Sequence, residues 1–148
     1  MLRKGNATKA VQRWTGVRAV ITIPPARPRR HLILVVDDDT ASTDLLAKVL
    51  RPRFDVMVAS DGVQGFEMAT KSRPDLIITD VTMPRLDGLA MVRLIRARLH
   101  CRLPVILLTG RNAAADIIAG IGAGALHYLT KPVDIVDLES RVARALSF

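Results

Sequence analysis

The feature that most constrains this chain is a repeated alternation, from Leu32 onward, between short aliphatic runs and longer amphipathic segments. The aliphatic runs cover residues 32–36, 55–59, 76–79, 105–109 and 126–130. The amphipathic segments between and after them begin near Thr40, Gly62, Gly88, Ala113 and Asp134. Short β-branched runs that alternate with helical patterns are typical of βαβ units, whose strands are parallel. The sequence therefore predicts an α/β domain with a five-stranded parallel sheet and helices on both of its faces.

Three aspartates stand immediately before predicted helices. Asp39, Asp61 and Asp87 each precede the first residue of an amphipathic segment. A carboxylate at this position accepts hydrogen bonds from backbone amides that have no partner within the helix. We expect all three to be N-caps.

Charge divides the chain into two parts. The chain has 148 residues and a net charge of +8. Residues 1–31 contain no acid and carry the whole excess, in Arg3, Lys4, Lys9, Arg13, Arg18, Arg27, Arg29 and Arg30. We predict a basic, disordered N-terminal extension over residues 1–31 and one domain over residues 32–148. The extension is a candidate surface for nucleic acid or anionic lipid.

Cysteine content and hydropathy restrict the class of protein further. Cys101 is the only cysteine, which excludes an internal disulfide and a cysteine-based zinc site. No apolar run approaches the roughly 20 residues that a membrane helix needs. The expected location is the cytoplasm.

Polar residues follow the predicted strands at the point where each strand ends. Asp37 and Asp38 follow the first strand, Asp80 the third, Thr109 closes the fourth, and Lys131 follows the fifth. Parallel strands bring their carboxyl ends to one edge of the sheet, where ligands bind in α/β proteins. Three carboxylates at one edge repel each other unless a cation or a lysine neutralises them. The pattern predicts a Mg²⁺ site with Lys131 beside it.

Four motifs in this order resemble the receiver domain of bacterial two-component response regulators. They are LILVVDDD, LIITDVTMPRLDG, VILLTG and YLTKP, and the resemblance covers residues 32–148. It implies the flavodoxin-like, CheY-like fold with strand order 2-1-3-4-5, of the stand-alone single-domain type. It also implies that the chain accepts a phosphoryl group on Asp80 and takes part in phosphorelay signalling.

The resemblance assigns roles to the residues at the sheet edge. Asp80 would be the phosphoacceptor and, with Asp37, Asp38 and the backbone carbonyl of Thr82, would hold Mg²⁺. The catalytic partners of Asp80 would be Lys131 and Thr109.

The resemblance also assigns a switch, a set of partners and a peptide geometry. Thr109 and Tyr128 would change position when Asp80 is phosphorylated, and the Lys131–Pro132 peptide would be cis. The partners would be a sensor histidine kinase or histidine phosphotransfer protein and a downstream protein target. Since the last predicted helix runs to Phe148, we expect no DNA-binding domain. We expect no enzymatic activity beyond the chain's own phosphorylation and dephosphorylation.

One alternative of another class stays open on the sequence. Phosphohydrolases of the haloacid dehalogenase type also place an aspartate nucleophile after a strand. DDDTA approaches their pattern but has Ala41 where threonine or valine belongs. In that interpretation Asp37 would be the nucleophile. A flavodoxin-like cofactor site is disfavoured, because the acids of this loop would repel a flavin phosphate.

Overall fold

The structure is a computed structural model, and it describes residues 8–14, 17–26, 28–110, 114–122, 124 and 127–146. The strands are β1 (Thr8–Trp14), β2 (Val17–Ile23), β3 (Leu32–Val36), β4 (Asp55–Ala59), β5 (Leu76–Asp80), β6 (Val105–Thr109) and β7 (His127–Thr130). The helices are α1 (Thr40–Leu50), α2 (Gly62–Ser72), α3 (Gly88–Leu99), α4 (Ala114–Gly122) and α5 (Ile135–Leu146).

Strands β3 to β7 form a five-stranded sheet in the order β4-β3-β5-β6-β7, and every neighbouring pair is parallel. Counted along the chain within this sheet, the order is 2-1-3-4-5, so the predicted fold is confirmed. The strand boundaries differ from the predicted ones by one residue, at Asp80, which belongs to β5, and at His127, which begins β7. The predicted start of the fourth helix, Ala113, lies outside the described residues.

The two faces of the sheet support separate hydrophobic clusters because neighbouring residues in a strand point to opposite sides. Leu34 and Ile77 pack with Met91 and Ile95 of α3 on one face. On the other face, the cluster contains Ile33, Val35, Ile78, Leu46, Leu50, Leu138 and Val142, from the sheet, α1 and α5. A sheet covered on both faces explains why its strands read as continuous apolar runs.

The three predicted N-caps are confirmed. The Asp39 side chain accepts from the amide of Ala41 at the start of α1. Asp61 accepts from Gln64 N at 2.8 Å, and Asp87 accepts from Ala90 N at 2.8 Å. These bonds satisfy amides that lack a partner within each first turn. They also fix where three of the loops at the carboxyl edge end.

The N-terminal extension differs from the expected disorder. β1 and β2 pair antiparallel, from Thr8 with Ile23 to Trp14 with Val17. The expectation of disorder rested on the excess of basic residues in residues 1–31. The pairing of β1 with β2 follows instead from the β-branched residues of VRAVITI, which favour strands.

The last residues of the extension contact the domain itself. Arg30 donates to the backbone carbonyls of Arg51 and Phe54, just after α1. His31 and Arg29 approach the carboxylate of Asp75 at 3.8 and 3.9 Å. The domain boundary at Leu32 stays a prediction.

Within the described parts of the chain, no helix combines the length and apolar character that crossing a membrane requires.

Candidate functional site

The carboxyl edge of the sheet brings three carboxylates together. Asp37 and Asp38 follow β3, and Asp80 is the last residue of the neighbouring strand β5. One carboxylate oxygen from each lies within 4.8 Å of the others. The structure therefore brings together the three acids that the strand ends predicted.

Lys131 lies between two of these acids. Its ammonium Nζ is 2.8 Å from Asp37 Oδ2 and 3.3 Å from Asp80 Oδ2. Burial alone would lower the pKa of Lys131, but the hydrogen bond to Asp37 and the charges of both aspartates raise it above its ordinary value. Lys131 is thus held as a cation at the edge. The Lys131–Pro132 peptide is cis, as the resemblance implied.

The three consecutive aspartates occupy different environments. Asp37 is buried, and its Oδ1 accepts from the amide of Asp39 at 3.0 Å while Oδ2 accepts from Lys131. Asp38 is exposed to solvent. Asp39 caps α1. Each oxygen of Asp37 therefore accepts one hydrogen bond from the protein, whereas Asp38 is open at the edge.

The surroundings of Asp80 raise the pKa of its carboxyl group. Burial raises the pKa of Asp80, and the charge of Asp37 raises it further, while Lys131 and a hydrogen bond from the Thr82 backbone oppose the increase. The net direction is upward, so the ionised carboxylate is less favoured than in water. A cation bound beside Asp80 would favour the ionised form.

The loop after β5 is held close to Asp80. Its first residue, Val81, donates to the carbonyl of Leu108 at 3.2 Å and accepts from the amide of Gly88 at 2.9 Å. A Cβ atom at Gly88 would lie 2.0 Å from the carbonyl oxygen of Asp80. Glycine is therefore required where α3 begins against the site.

Sequence reasoning missed an ion pair that closes the outer side of this loop. Arg85 has a φ of 68°, in the left-handed region. Its Nη2 lies 3.1 Å from Asp61 Oδ2, at the N-terminus of α2. The only signal in the sequence was the turn composition of PRLDG, which does not name a partner.

The two predicted switch residues lie on neighbouring strands. Thr109 is buried, and its hydroxyl donates to the carbonyl of Leu129 at 3.5 Å. Tyr128, on β7, is 43% exposed. The Thr109 hydroxyl bonds to β7 rather than to Asp80, and the tyrosine ring is accessible to solvent. Their roles as a switch stay predictions.

A groove beside Lys131 was not anticipated from the sequence. It has a volume of about 400 Å³ and lies between α1 and the segment after β7. Its lining comprises Ser42, Leu45, Leu46, Leu108, Lys131, Pro132 and Val133. Leu45 is 52% exposed. An apolar surface therefore borders the only lysine that contacts Asp80 among the described residues.

Comparison with known proteins agrees with this geometry. Residues 33–143 match the response regulator receiver domain family. The chain belongs to the response regulator receiver family. The match includes residues of all five strands of the main sheet and the acidic edge.

Curated relatives of this receiver include response regulators of mycobacteria. The chain is 43% identical over 115 residues to response regulator MprA of Mycobacterium leprae, which covers 77% of this chain and 50% of the relative. It is 44% identical over 115 residues to MprA of Mycobacterium ulcerans, which covers 77% and 49%. The chain spans about half the length of the curated relatives it matches.

Solved structures share the receiver fold. A response regulator receiver domain protein from Clostridium thermocellum superposes with a TM-score of 0.74 at 31% identity, over 78% of this chain and 94% of that chain. The chemotaxis protein CheY4 of Vibrio cholerae gives 0.75 at 28% identity, over 80% and 100%. The phosphorelay and two-component assignment of the chain is confirmed by these similarities together with the family match.

The donor set of this receiver fits a magnesium ion. Three carboxylate groups supply hard oxygen ligands, which Mg²⁺ prefers, and the exposed Asp38 leaves room for the waters that Mg²⁺ retains. The assignment of the Thr82 carbonyl as a ligand stays a prediction.

Proposed function

We propose that this receiver accepts a phosphoryl group on Asp80 from the phosphohistidine of a histidine kinase or a histidine phosphotransfer protein. One observation carries the proposal. Asp80 ends a central strand at the carboxyl edge, beside a lysine cation and two further carboxylates. A buried carboxylate in this setting serves as a nucleophile whose incoming negative charge is screened by its neighbours.

The chemistry is a displacement at phosphorus. A carboxylate oxygen of Asp80 attacks, the bond between phosphorus and the donor histidine nitrogen breaks, and an acyl phosphate forms. Lys131 neutralises charge on the transferred group from the side of Asp37. Mg²⁺ held by Asp37, Asp38, Asp80 and the Thr82 carbonyl would supply further charge neutralisation. The chain's other residues position Asp80, and we propose no activity on other substrates.

The proposed output begins at Thr109. Its hydroxyl would leave the Leu129 carbonyl, a long hydrogen bond of 3.5 Å, to donate to the phosphoryl oxygens. The exposed Tyr128 ring would then move into the space that Thr109 vacates, which changes the surface around β7. A protein partner reads that surface in this proposal.

The groove beside Lys131 is the proposed docking surface for the phosphodonor. It borders the site, and its exposed Leu45 offers an apolar contact on α1. A donor seated there brings its phosphohistidine to Asp80. We place the exchange in the cytoplasm, which the free Cys101 supports because reducing compartments keep thiols unpaired.

The test is to locate the phosphoryl group. Incubation of the full chain with acetyl phosphate and Mg²⁺, followed by borohydride reduction and peptide mass spectrometry, should label Asp80. Asp80→Asn should abolish the label. Label on Asp37 would instead support the phosphohydrolase alternative.

A further inference from the structure

Charged side chains are distributed unevenly between the two edges of the main sheet. The carboxyl edge holds the aspartates of the site and of the helix N-caps. The opposite, amino edge consists of the turns in which α1, α2 and α3 end and β4, β5 and β6 begin. Five exposed arginines lie in these turns or in the helical turn before them, and we call them the basic edge: Arg51, Arg53, Arg73, Arg98 and Arg102.

Asp55 and Asp75 also lie at the amino edge, but both have other partners. Asp75 accepts from the amide of Leu32 at 2.7 Å and lies 3.9 Å from Arg29 Nη2. Asp55 lies 3.6 Å from Arg30 Nε. Neither acid forms a salt bridge with the basic edge.

The N–H donors of the basic edge are not used by the part of the chain that the structure describes. Basic side chains near a helix C-terminus are favoured by the helix dipole and can donate to its last carbonyls. At the end of α1, however, Arg30 makes those hydrogen bonds, and beyond α3 Arg96 donates to the carbonyls of Leu103 and Gly124. Within the described ranges, no salt bridge or side-chain hydrogen bond engages any of the five arginines. Their guanidinium groups are therefore available to an external anion.

The basic edge forms a row along the sheet. The strands β4, β3, β5 and β6 are consecutive neighbours, and the five arginines lie before the first, third and fourth of them. Neighbouring strands are about 4.8 Å apart, so the row from β4 to β6 is about 14 Å long. Each turn leads directly into a strand of the packed sheet, which fixes the spacing of the charges.

We propose that the basic edge binds the phosphate backbone of double-stranded DNA. A duplex carries one negative charge per roughly 1.7 Å of its axis, so a row about 14 Å long meets several phosphates. Guanidinium groups suit this partner, because they bind phosphate oxygens through two parallel N–H bonds. Phosphate contacts carry no sequence information, so we expect binding to be independent of base sequence.

Single-stranded nucleic acid and an anionic membrane fit the basic edge less well. Proteins that bind single strands stack the bases on aromatic side chains, whereas Phe54, the aromatic residue of these turns, is buried. Stable membrane binding combines basic residues with an apolar group that enters the lipid. The described large apolar side chains that are exposed lie outside the three turns: Ile23, Leu45, Val63, Leu94, Ile118, Tyr128 and Val136. A duplex needs neither an aromatic platform nor an apolar anchor.

The decisive experiment compares two variants of the full chain that have the same net charge. Arg73→Gln/Arg102→Gln neutralises two positions of the basic edge, and Arg85→Gln/Arg93→Gln neutralises two exposed arginines elsewhere in the domain. Fluorescence anisotropy with a labelled 30-base-pair duplex at several salt concentrations measures binding. The basic-edge variant should bind about tenfold more weakly than the other, and its slope of log affinity against log salt should be smaller by about 1.8, since each phosphate contact contributes about 0.9. Equal affinity of the two variants would overturn the proposal.

Further variants separate the basic edge from the N-terminal extension. Arg51→Gln/Arg98→Gln repeats the test at two other positions of the basic edge and should weaken binding to a similar degree. Arg3→Gln/Lys4→Gln removes the same charge from residues 1–31 and should weaken binding less. An equal or larger loss in this last variant would assign binding to the extension and overturn the proposal. Urea unfolding curves verify that every variant is folded.

Competition against the labelled duplex identifies the kind of anion. Unlabelled single strands and vesicles with anionic lipid should compete more weakly than unlabelled duplex at the same phosphate concentration. Equal or stronger competition by either would overturn the choice of double-stranded DNA. Acetyl phosphate labelling of Asp80 is measured on the same proteins. Absence of that label would contradict the proposed function and leave the result with the duplex unaffected, so the two failures are distinguishable.

Discussion

At the scale of single residues, the sequence DDD shows that identical side chains acquire different chemistry from position alone. Asp37 is buried with both oxygens bonded, Asp38 is exposed beside it, and Asp39 turns to the amides of α1. The position of each aspartate after β3 determines whether its side chain is buried, exposed or turned to the start of α1. Each substitution should therefore have a distinct signature.

Asp38→Ala should abolish Mg²⁺-dependent phosphorylation of Asp80. Because Asp38 is exposed, the change removes a proposed oxygen ligand without opening the core, and stability should stay within about 0.5 kcal/mol. The label from acetyl phosphate and a urea unfolding curve measure the two effects. Asp39→Ala is the matched control: it should retain phosphorylation but lose about 1 kcal/mol of stability with its N-cap. The opposite pattern would contradict the assignment.

Asp80 should give the site a measurable pH dependence. Burial, assisted by Asp37, raises the folded-state pKa of Asp80 above the unfolded value. Its contribution to stability is therefore present below the unfolded pKa and is lost as pH rises through the folded pKa. Metal-free Asp80→Asn should be more stable than the unmodified chain at pH 7. The difference should shrink as pH falls through the raised folded-state pKa of Asp80 and should be gone below the unfolded pKa of about 3.9.

Urea unfolding in EDTA at a series of pH values measures this difference for Asp80. Added Mg²⁺ is the control, since an ion that binds the folded state should stabilise the unmodified chain more than the Asn variant. A variant that is less stable at pH 7 without metal would show that the Lys131 ion pair outweighs burial.

At the scale of elements, the loop from Val81 to Asp87 links the end of β5 to the start of α3 through one close approach. The position of Asp80 depends on α3 beginning directly against the Asp80 backbone carbonyl. Gly88 permits this approach because it has no side chain.

Gly88→Ala should impair both folding and phosphorylation. Its Cβ would lie 2.0 Å from a backbone oxygen that cannot move without displacing Asp80. Overpacking of this kind costs about 1–3 kcal/mol. Gly110→Ala is the matched control at the end of β6, since a Cβ there meets nothing within 4 Å. Thermal unfolding and the rate of labelling by acetyl phosphate are the measurements. Equal effects of the two substitutions would contradict this explanation.

The elements were predictable where local chemistry determines them. The β-branched runs set the strands, Asp61 and Asp87 set helix starts, and acids after two strands indicated one shared edge. The pair of Arg85 with Asp61 was not predictable, because it depends on how two loops meet in space. The pairing of β1 with β2 was not predicted, because the basic composition of residues 1–31 favours disorder.

At the scale of the whole molecule, the carboxyl edge and the amino edge of the main sheet differ in what they contact. The proposed phosphoryl chemistry takes place at the carboxyl edge. The chain enters the domain at the amino edge, where Leu32 N donates to Asp75 Oδ2 at 2.7 Å. Residues 29–31 add contacts at this second edge. Changes at one edge should therefore leave the other unaffected.

Two truncations should separate the chemistry of the domain from its stability. Proteins that begin at Arg29 or at Leu32 should be phosphorylated on Asp80 at the rate of the full chain, since every proposed chemical group lies between Asp37 and Lys131. The protein that begins at Leu32 should be less stable by about 1 kcal/mol, because it loses the Arg30 cation at the C-terminus of α1. Urea unfolding and acetyl phosphate labelling measure both properties.

The matched controls are single substitutions in the protein that begins at Arg29. Arg30→Gln should reproduce most of the loss, since Arg30 donates to the carbonyls of Arg51 and Phe54. Arg29→Gln should have almost no effect, because its side chain is 75% exposed and 3.9 Å from Asp75. If both truncated proteins unfold at the same urea concentration, the Arg30 contacts do not stabilise the domain. If the shorter protein folds but is not labelled, the chemistry depends on residues before Leu32.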